Sequence, residues 1–143
     1  MASEYTARRV ALGGVLALAL SGCAGPAAVS CTPGRGSPMQ VFQLFFGKSV
    51  PGRTDVSDKE WRSFLDETVT ANLPNGYTVH DGYGAWMNPV THRTIREPTT
   101  IVTAALPDTA ESLATVNRIR TEYQVRFHQQ LVGMTVTPAC GTF

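Results

Sequence analysis

The chain has 143 residues, 43% of them apolar, with 12 basic and 11 acidic side chains and a formal net charge of +1. That is enough chain for one domain with a core of its own. The near-neutral balance, with no basic run, excludes a nucleic-acid binder or a protein held on an anionic surface by charge, since both need concentrated positive charge.

The first 22 residues read as a targeting segment. Arg8 and Arg9 precede an apolar run from Val10 to Leu20. A positive n-region and a short apolar h-region mark a signal peptide, and the run falls well below the roughly 20 residues a bilayer span needs. Leu20-Ser21-Gly22-Cys23 then has the form of a lipobox: leucine at −3, small residues at −2 and −1, cysteine at +1. Lipidation of Cys23 by diacylglycerol and an amide-linked acyl chain is expected, each buried methylene contributing about 0.8 kcal/mol to anchoring. Cleavage takes two basic residues and one acidic one with the leader, leaving a neutral mature chain. The protein is expected in the cell envelope, outside the cytoplasm, with the membrane as its partner through Cys23. No choice between inner and outer membrane is implied.

Residues 23–38 comprise the lipidated cysteine and a tether rich in proline and glycine, a flexible linker composition. Residues 39–143 form a single domain. Of the three cysteines, Cys31 and Cys140 remain after Cys23 takes the lipid. A metal pair and a reactive thiol are the alternatives to a disulfide. Without CxxC spacing or clustered histidines, and in an oxidising compartment, the disulfide is favoured. It would close a loop of over a hundred residues, for which the chain-entropy model gives about 4–5 kcal/mol as an upper figure.

The spacing predicts a first strand over Met39–Phe46, with Phe42, Leu44 and Phe46 on one face and Val41 and Phe45 on the other, hence a central strand. Gly47-Lys48-Ser49 resembles the end of a phosphate-binding loop but lacks the upstream glycine, Phe42 standing in its place, and reads as a turn. Helix one opens at Ser57 with Glu60 three residues on, a capping box. Its stripe is Trp61, Phe64, Leu65, Thr68 and Val69. Leu73-Pro74-Asn75-Gly76 ends it. Tyr77–Met87 is the second strand, where Gly82 and Gly84 suggest a bulge or close backbone approach. Asn88-Pro89-Val90-Thr91 turns into a third strand over Thr94–Leu106, with Pro98 at a bulge or edge position. Helix two opens at Asp108, with Leu113, Val116, Ile119, Tyr123 and Phe127 as its stripe and Arg118, Arg120, Glu122 and Arg126 on a solvated face. The last strand is Leu131–Thr137, stopped by Pro138.

Strand, helix, strand, strand, helix, strand predicts an α+β, ferredoxin-like βαββαβ sandwich: an antiparallel four-stranded sheet with two helices on one face. In that topology the first and last strands are neighbours, which brings Cys31 and Cys140 to the same end. The segments Phe42-Gln-Leu-Phe-Phe-Gly47, Ser57-Asp-Lys-Glu-Trp-Arg-Ser-Phe64, Asp81-Gly-Tyr-Gly-Ala-Trp86, Arg96-Glu-Pro-Thr99 and Pro138-Ala-Cys140 give the domain its character. In them it resembles a family of small bacterial lipoproteins and secreted proteins of unknown function. That resemblance implies no catalytic residue.

The candidate ligand site is the hairpin, with Asp81, Tyr83, Trp86, Arg96 and Glu97 beside two glycines. A turn centred near Val90 would put Tyr83 and Gly84 roughly opposite Arg96 and Glu97, and these last two, being adjacent, should point to opposite faces of the sheet, one lining a groove and the other meeting a helix end or solvent. A buried aromatic with a satisfying ion pair is the plainer reading and stands ahead of it. His80, His92 and His128 lie in unrelated segments, so no metal is assigned. No G-x-S-x-G elbow exists, and neither a catalytic residue nor a cofactor is assigned. The favoured reading is a non-enzymatic envelope module binding a small molecule or a partner. The alternative is a small enzyme resembling the dimeric α+β barrels, which predicts that Tyr83, Trp86, Arg96 and Glu97 converge. A homodimer through the open sheet face would cover Val41 and Phe45.

Overall fold

Alternating large apolar side chains set the first strand. In the computed structural model, which describes residues 30–142, β1 runs Ser37–Gly47. The leader, Cys23 and the tether as far as Val29 lie outside the described residues. Phe42, Leu44 and Phe46 are fully buried on one face of β1, while Val41 and Phe45 are half-buried on the other. The strand starts two residues inside the stretch read as tether. Gly36, just before it, has φ of 90°, and a Cβ there would sit 2.1 Å from the Gly141 carbonyl oxygen, so only glycine fits.

The capping box forms as expected. The Ser57 hydroxyl accepts from the Glu60 N–H, and Glu60 accepts from the Ser57 N–H at 2.9 Å, opening α1 at Asp58–Phe64. That backbone donor first, then the Arg53 and Ser57 side chains, hold the Glu60 carboxyl well below the usual carboxylate range, at about 2. The helix then widens into a π-helical stretch, Leu65–Thr70. The buried Phe64 and the buried Val69 are therefore five positions apart, and Thr68 is left half-buried.

Strand β2 (Thr78–Met87) and β3 (Thr94–Pro107) form the hairpin, α2 spans Ala110–Phe127, and β4 spans Gly133–Gly141. The sheet is antiparallel in the order β2-β3-β1-β4, the ferredoxin-like arrangement, with β1 and β3 central. The helices cover one face, where Phe46, Trp61, Phe64, Tyr123 and Phe127 form an aromatic cluster with Phe46–Tyr123 centroids 4.8 Å apart. Cys31 and Cys140 are disulfide-bonded, their Cα atoms 5.7 Å apart. Pairing of Pro38 with Cys140 in the β1–β4 ladder brings the two ends together.

Four expectations are corrected. The cap of α2 is Thr109, whose hydroxyl accepts from the Ser112 N–H at 3.1 Å, and not Asp108, which accepts from Gln40 instead. Leu113 is exposed, while Val116, Ile119, Tyr123 and Phe127 are buried. Arg118 and Glu122 are solvated, but Arg126 bonds Glu67 at 2.7 Å across the helix pair, and Arg120 donates twice to the Val132 carbonyl. Strand β4 begins later than Leu131 and continues through Pro138. It is an edge strand, where a residue without an N–H is tolerated.

Pro98 illustrates the same rule inside a central strand. The β1–β3 pairing ends at Gly47 and Thr99, and the Pro98 carbonyl accepts from Lys48 N–H at 3.0 Å just beyond it. The Lys48 carbonyl, which an N–H at position 98 would otherwise meet, accepts instead from the Val56 N–H at 2.8 Å, so the missing donor leaves no acceptor unpaired.

Candidate functional site

The hairpin register decides which side chains share a face. Gly84 pairs with Glu97, Ala85 with Arg96, and Trp86 with Ile95. This is one residue away from the register expected from a turn centred on Val90. The cause lies in the turn. The Asn88 side chain accepts from both Val90 and Thr91 N–H groups, at 2.9 and 3.0 Å, and His92 adopts φ of 53°, so the loop runs from Asn88 to Arg93. A one-residue change of register moves every side chain to the other face.

The five hairpin residues therefore divide. Trp86 and Glu97 lie on the open face, away from the helices. Asp81, Tyr83 and Arg96 lie on the helix side of the sheet at its β2 edge. There Asp81 accepts from Thr100 Oγ1 at 3.0 Å, Tyr83 is 73% exposed, and Arg96 is exposed. Tyr83, Trp86, Arg96 and Glu97 do not converge.

Trp86 and Glu97 do meet. The indole Nε1–H donates to Glu97 Oε1 at 2.7 Å, a diagonal contact across the two strands. The Ser49 N–H donates to the second carboxylate oxygen, Oε2, at 2.9 Å. Glu97 is only 5% exposed. Among the described residues no lysine, arginine or histidine nitrogen lies within ion-pairing distance of it. A buried carboxylate held by neutral donors alone is costly to place, and two N–H bonds offset part of that cost.

Gly47 makes this placement feasible. A Cβ there would lie 2.5 Å from Glu97 Oε1 and 2.7 Å from Oε2, so the carboxylate rests directly over the glycine backbone. From the helix side, the Tyr123 hydroxyl donates to the Gly47 carbonyl at 2.9 Å. Burial first, then the negative charge of Glu97, push the Tyr123 phenol above its ordinary pKa, which keeps it a donor. Gly84 is needed too, because a Cβ there would come within 2.7 Å of Thr99 Oγ1. Gly82 has room for a side chain.

Over this glycine floor lies a hollow of about 280 Å³, walled by Phe45, Trp86, Glu97, Thr99, Leu131 and Gly133. A second of about 210 Å³ adjoins it across Trp86 and Glu97, bounded by Ser49, Asn88, Ile95 and the His128–Gln130 loop. Gln129 Nε2 donates to the Ser49 carbonyl at 2.8 Å, tying that loop to the end of β1. The largest concavity, about 680 Å³, is a groove between the helices around Asn117 and Arg118. Its lining is mostly exposed and holds no buried charged group, so the smaller hollow at the sheet end is the better candidate.

Sequence reading missed Gly47, Ser49, Phe45 and Leu131 as neighbours of the hairpin. Parity along β3 sets Arg96 and Glu97 on opposite faces, as their adjacency implies, but carries no signal for these four, which come from the end of β1 and the approach to β4. Among the described residues no three His, Cys, Asp or Glu side chains gather as metal ligands, and no helix is long and apolar enough to cross a membrane.

Comparison with known proteins returns the same fold. A phage SAM lyase in complex with S-methyl-5'-thioadenosine matches with a TM-score of 0.56 at 11% identity, covering 74% of this chain and 92% of the lyase. CutA from Synechococcus elongatus PCC7942, complexed with a Bis-Tris molecule, matches at 0.46 and 9% identity, covering 73% and 82%. At these identities the likeness is one of fold, not of chemistry. No curated protein matches the chain. One family model does, over residues 42–143, which is most of the chain and all of its sheet beyond the start of β1, and the protein thus belongs to the family described as "Protein of unknown function (DUF3574)".

Proposed function

We propose that this protein is a lipid-anchored cell-envelope module, held at the membrane by an acylated Cys23, whose domain binds a small molecule at the open-face hollow without transforming it. One observation carries the binding reading. A buried carboxylate, fixed by Trp86 and Ser49 over a glycine floor, faces a hollow with apolar walls. Ligand sites commonly combine apolar walls with a few fixed polar groups in this way. The enzymatic alternative rested on Tyr83 and Arg96 joining Trp86 and Glu97, and their separation by the sheet removes its basis. The lipobox sequence supports the anchor, and the Cys31–Cys140 disulfide suits an oxidising compartment.

Two measurements test the two halves. Cys23→Ser should move the protein from the membrane fraction to the soluble fraction and abolish labelling by radioactive palmitate. Continued labelling would refute the anchor. A fragment screen of charged and uncharged small molecules against the oxidised protein, read by proton–nitrogen spectra, should shift the Trp86 indole signal together with the Gly47, Gly84 and Gly133 amides. If no fragment moves that set, the hollow is not a binding site.

A further inference from the structure

Accepting the hollow as the binding site, its chemistry narrows what can fill it. Three properties bear on the choice. The first is charge. Glu97 brings a carboxylate into the wall, and its two hydrogen-bond donors, Trp86 Nε1–H and Ser49 N–H, are both neutral. No basic side chain among the described residues pairs with it, so the charge is solvated locally but not balanced. A neutral or anionic occupant would exclude water from the hollow and leave that carboxylate without a counter-ion, which raises the cost of burial.

The second property is the remaining wall. Trp86 and Phe45 are half-buried, with ring surface bordering the hollow, and Leu131 is 62% exposed on its far side. Aromatic faces attract cations through their quadrupole, tryptophan most strongly. The indole serves twice: its N–H edge is committed to Glu97, which leaves its face for the ligand. The third property is what the wall lacks. It offers one carboxylate, both of whose oxygens already accept hydrogen bonds, and no second acidic or histidine side chain. A bare metal ion needs several oxygen or nitrogen ligands and would find one. The hollow, about 280 Å³, lies at the lower limit of ligand pockets, so the occupant has few heavy atoms.

We infer that the ligand is a small organic cation with an apolar body, an alkylammonium or other onium group seated between the Trp86 ring and the Glu97 carboxylate. The cationic centre neutralises Glu97, and its alkyl substituents pack on Phe45 and Leu131. Gly47 and Gly84 are the selectivity elements, since a side chain at either would occupy the space that the carboxylate or Thr99 now fills.

The test uses the whole oxidised protein with choline and phenyltrimethylammonium, each against its uncharged tert-butyl isostere. The chain holds two tryptophans, so two indole signals are expected, and the buried Trp61 is the internal control. Each cation should shift the Trp86 indole signal and leave that of Trp61 in place, binding about ten-fold or more tighter than its isostere. Glu97→Gln, which keeps the shape and removes the charge, should abolish that preference. If the variant does not fold, the isostere comparison on the unaltered protein decides alone. Equal binding of cation and isostere at Trp86 overturns the charge assignment and leaves the hollow as a binding site. Shifts at the hollow from uncharged fragments, with none from either cation, do the same. If no probe of any kind perturbs the hollow, the binding reading fails along with this one.

Discussion

Replacing Phe46 by alanine should cost about 3–5 kcal/mol of folding stability, the range for truncating a fully buried aromatic. Phe46 has no solvent exposure and stands at the meeting point of both helices and the sheet, with ring centroids 5.3 Å from Trp61, 5.7 Å from Phe64 and 4.8 Å from Tyr123. These tilted and edge-on contacts add to area burial. The cavity left behind would be lined by rigid rings that collapse poorly, which places the expected loss toward the upper part of that range. Urea denaturation should show a lower midpoint with the slope unchanged. Phe45, next in sequence but on the open face, is the contrast. Its alanine variant should lose much less, because half-buried side chains surrender less apolar area. Similar losses at the two positions would mean that the open face is covered and that the two-layer description is incomplete.

Losing the disulfide is the second large effect. Cys31→Ser or Cys140→Ser should each cost about 2–5 kcal/mol, with the entropy of a loop spanning 109 residues favouring the upper part of that range. The double variant should lose no more than either single one, because either substitution removes the whole cross-link. A reducing agent should destabilise the unaltered protein by the same amount and leave both variants unchanged. Losses that add in the double variant would show that each thiol has a separate role. The prediction also bears on where the protein folds, since a domain of this size that depends on the bridge matures only under oxidising conditions.

Element order was legible because local signals agreed with one another. Ser57 and Glu60 marked a helix start that the structure reproduces, and the Phe42, Leu44 and Phe46 alternation marked a central strand. The adjacency of β1 and β4, and with it the Cys31–Cys140 bond, followed from topology rather than from any local motif. The candidate site was legible only in half. Trp86 and Glu97 meet, and the adjacency of Arg96 and Glu97 already implies that these two face opposite ways; what the sequence leaves open is the register, which sets Tyr83 and Asp81 on the face of Arg96 rather than that of Glu97. Register depends on turn geometry, here the double acceptance by Asn88 and the left-handed His92, which propensity does not reveal. Helix two shows the same limit at smaller scale. Asp108 and Thr109 are both good caps, and only the backbone path chooses between them. Gly47, Ser49 and Leu131 reach the site from other segments of the chain, so no reading of the hairpin alone could supply them.

The direction of β1 has a consequence for how the molecule would stand in its surroundings. The strand starts six residues after the bridging Cys31 and ends at Gly47, the floor of the hollow. At about 3.3 Å per residue, its 11 residues set these ends roughly 33 Å apart. With the proposed anchor, everything that fastens the domain to the bilayer enters at one pole, while the hollow opens at the other. A domain upright on its tether would hold its mouth about the thickness of a bilayer's hydrocarbon core, roughly 30 Å, above the surface it is fixed to. Solutes diffusing through the envelope space would meet that mouth directly, whereas a lipid still embedded in the same leaflet would have to leave it to arrive.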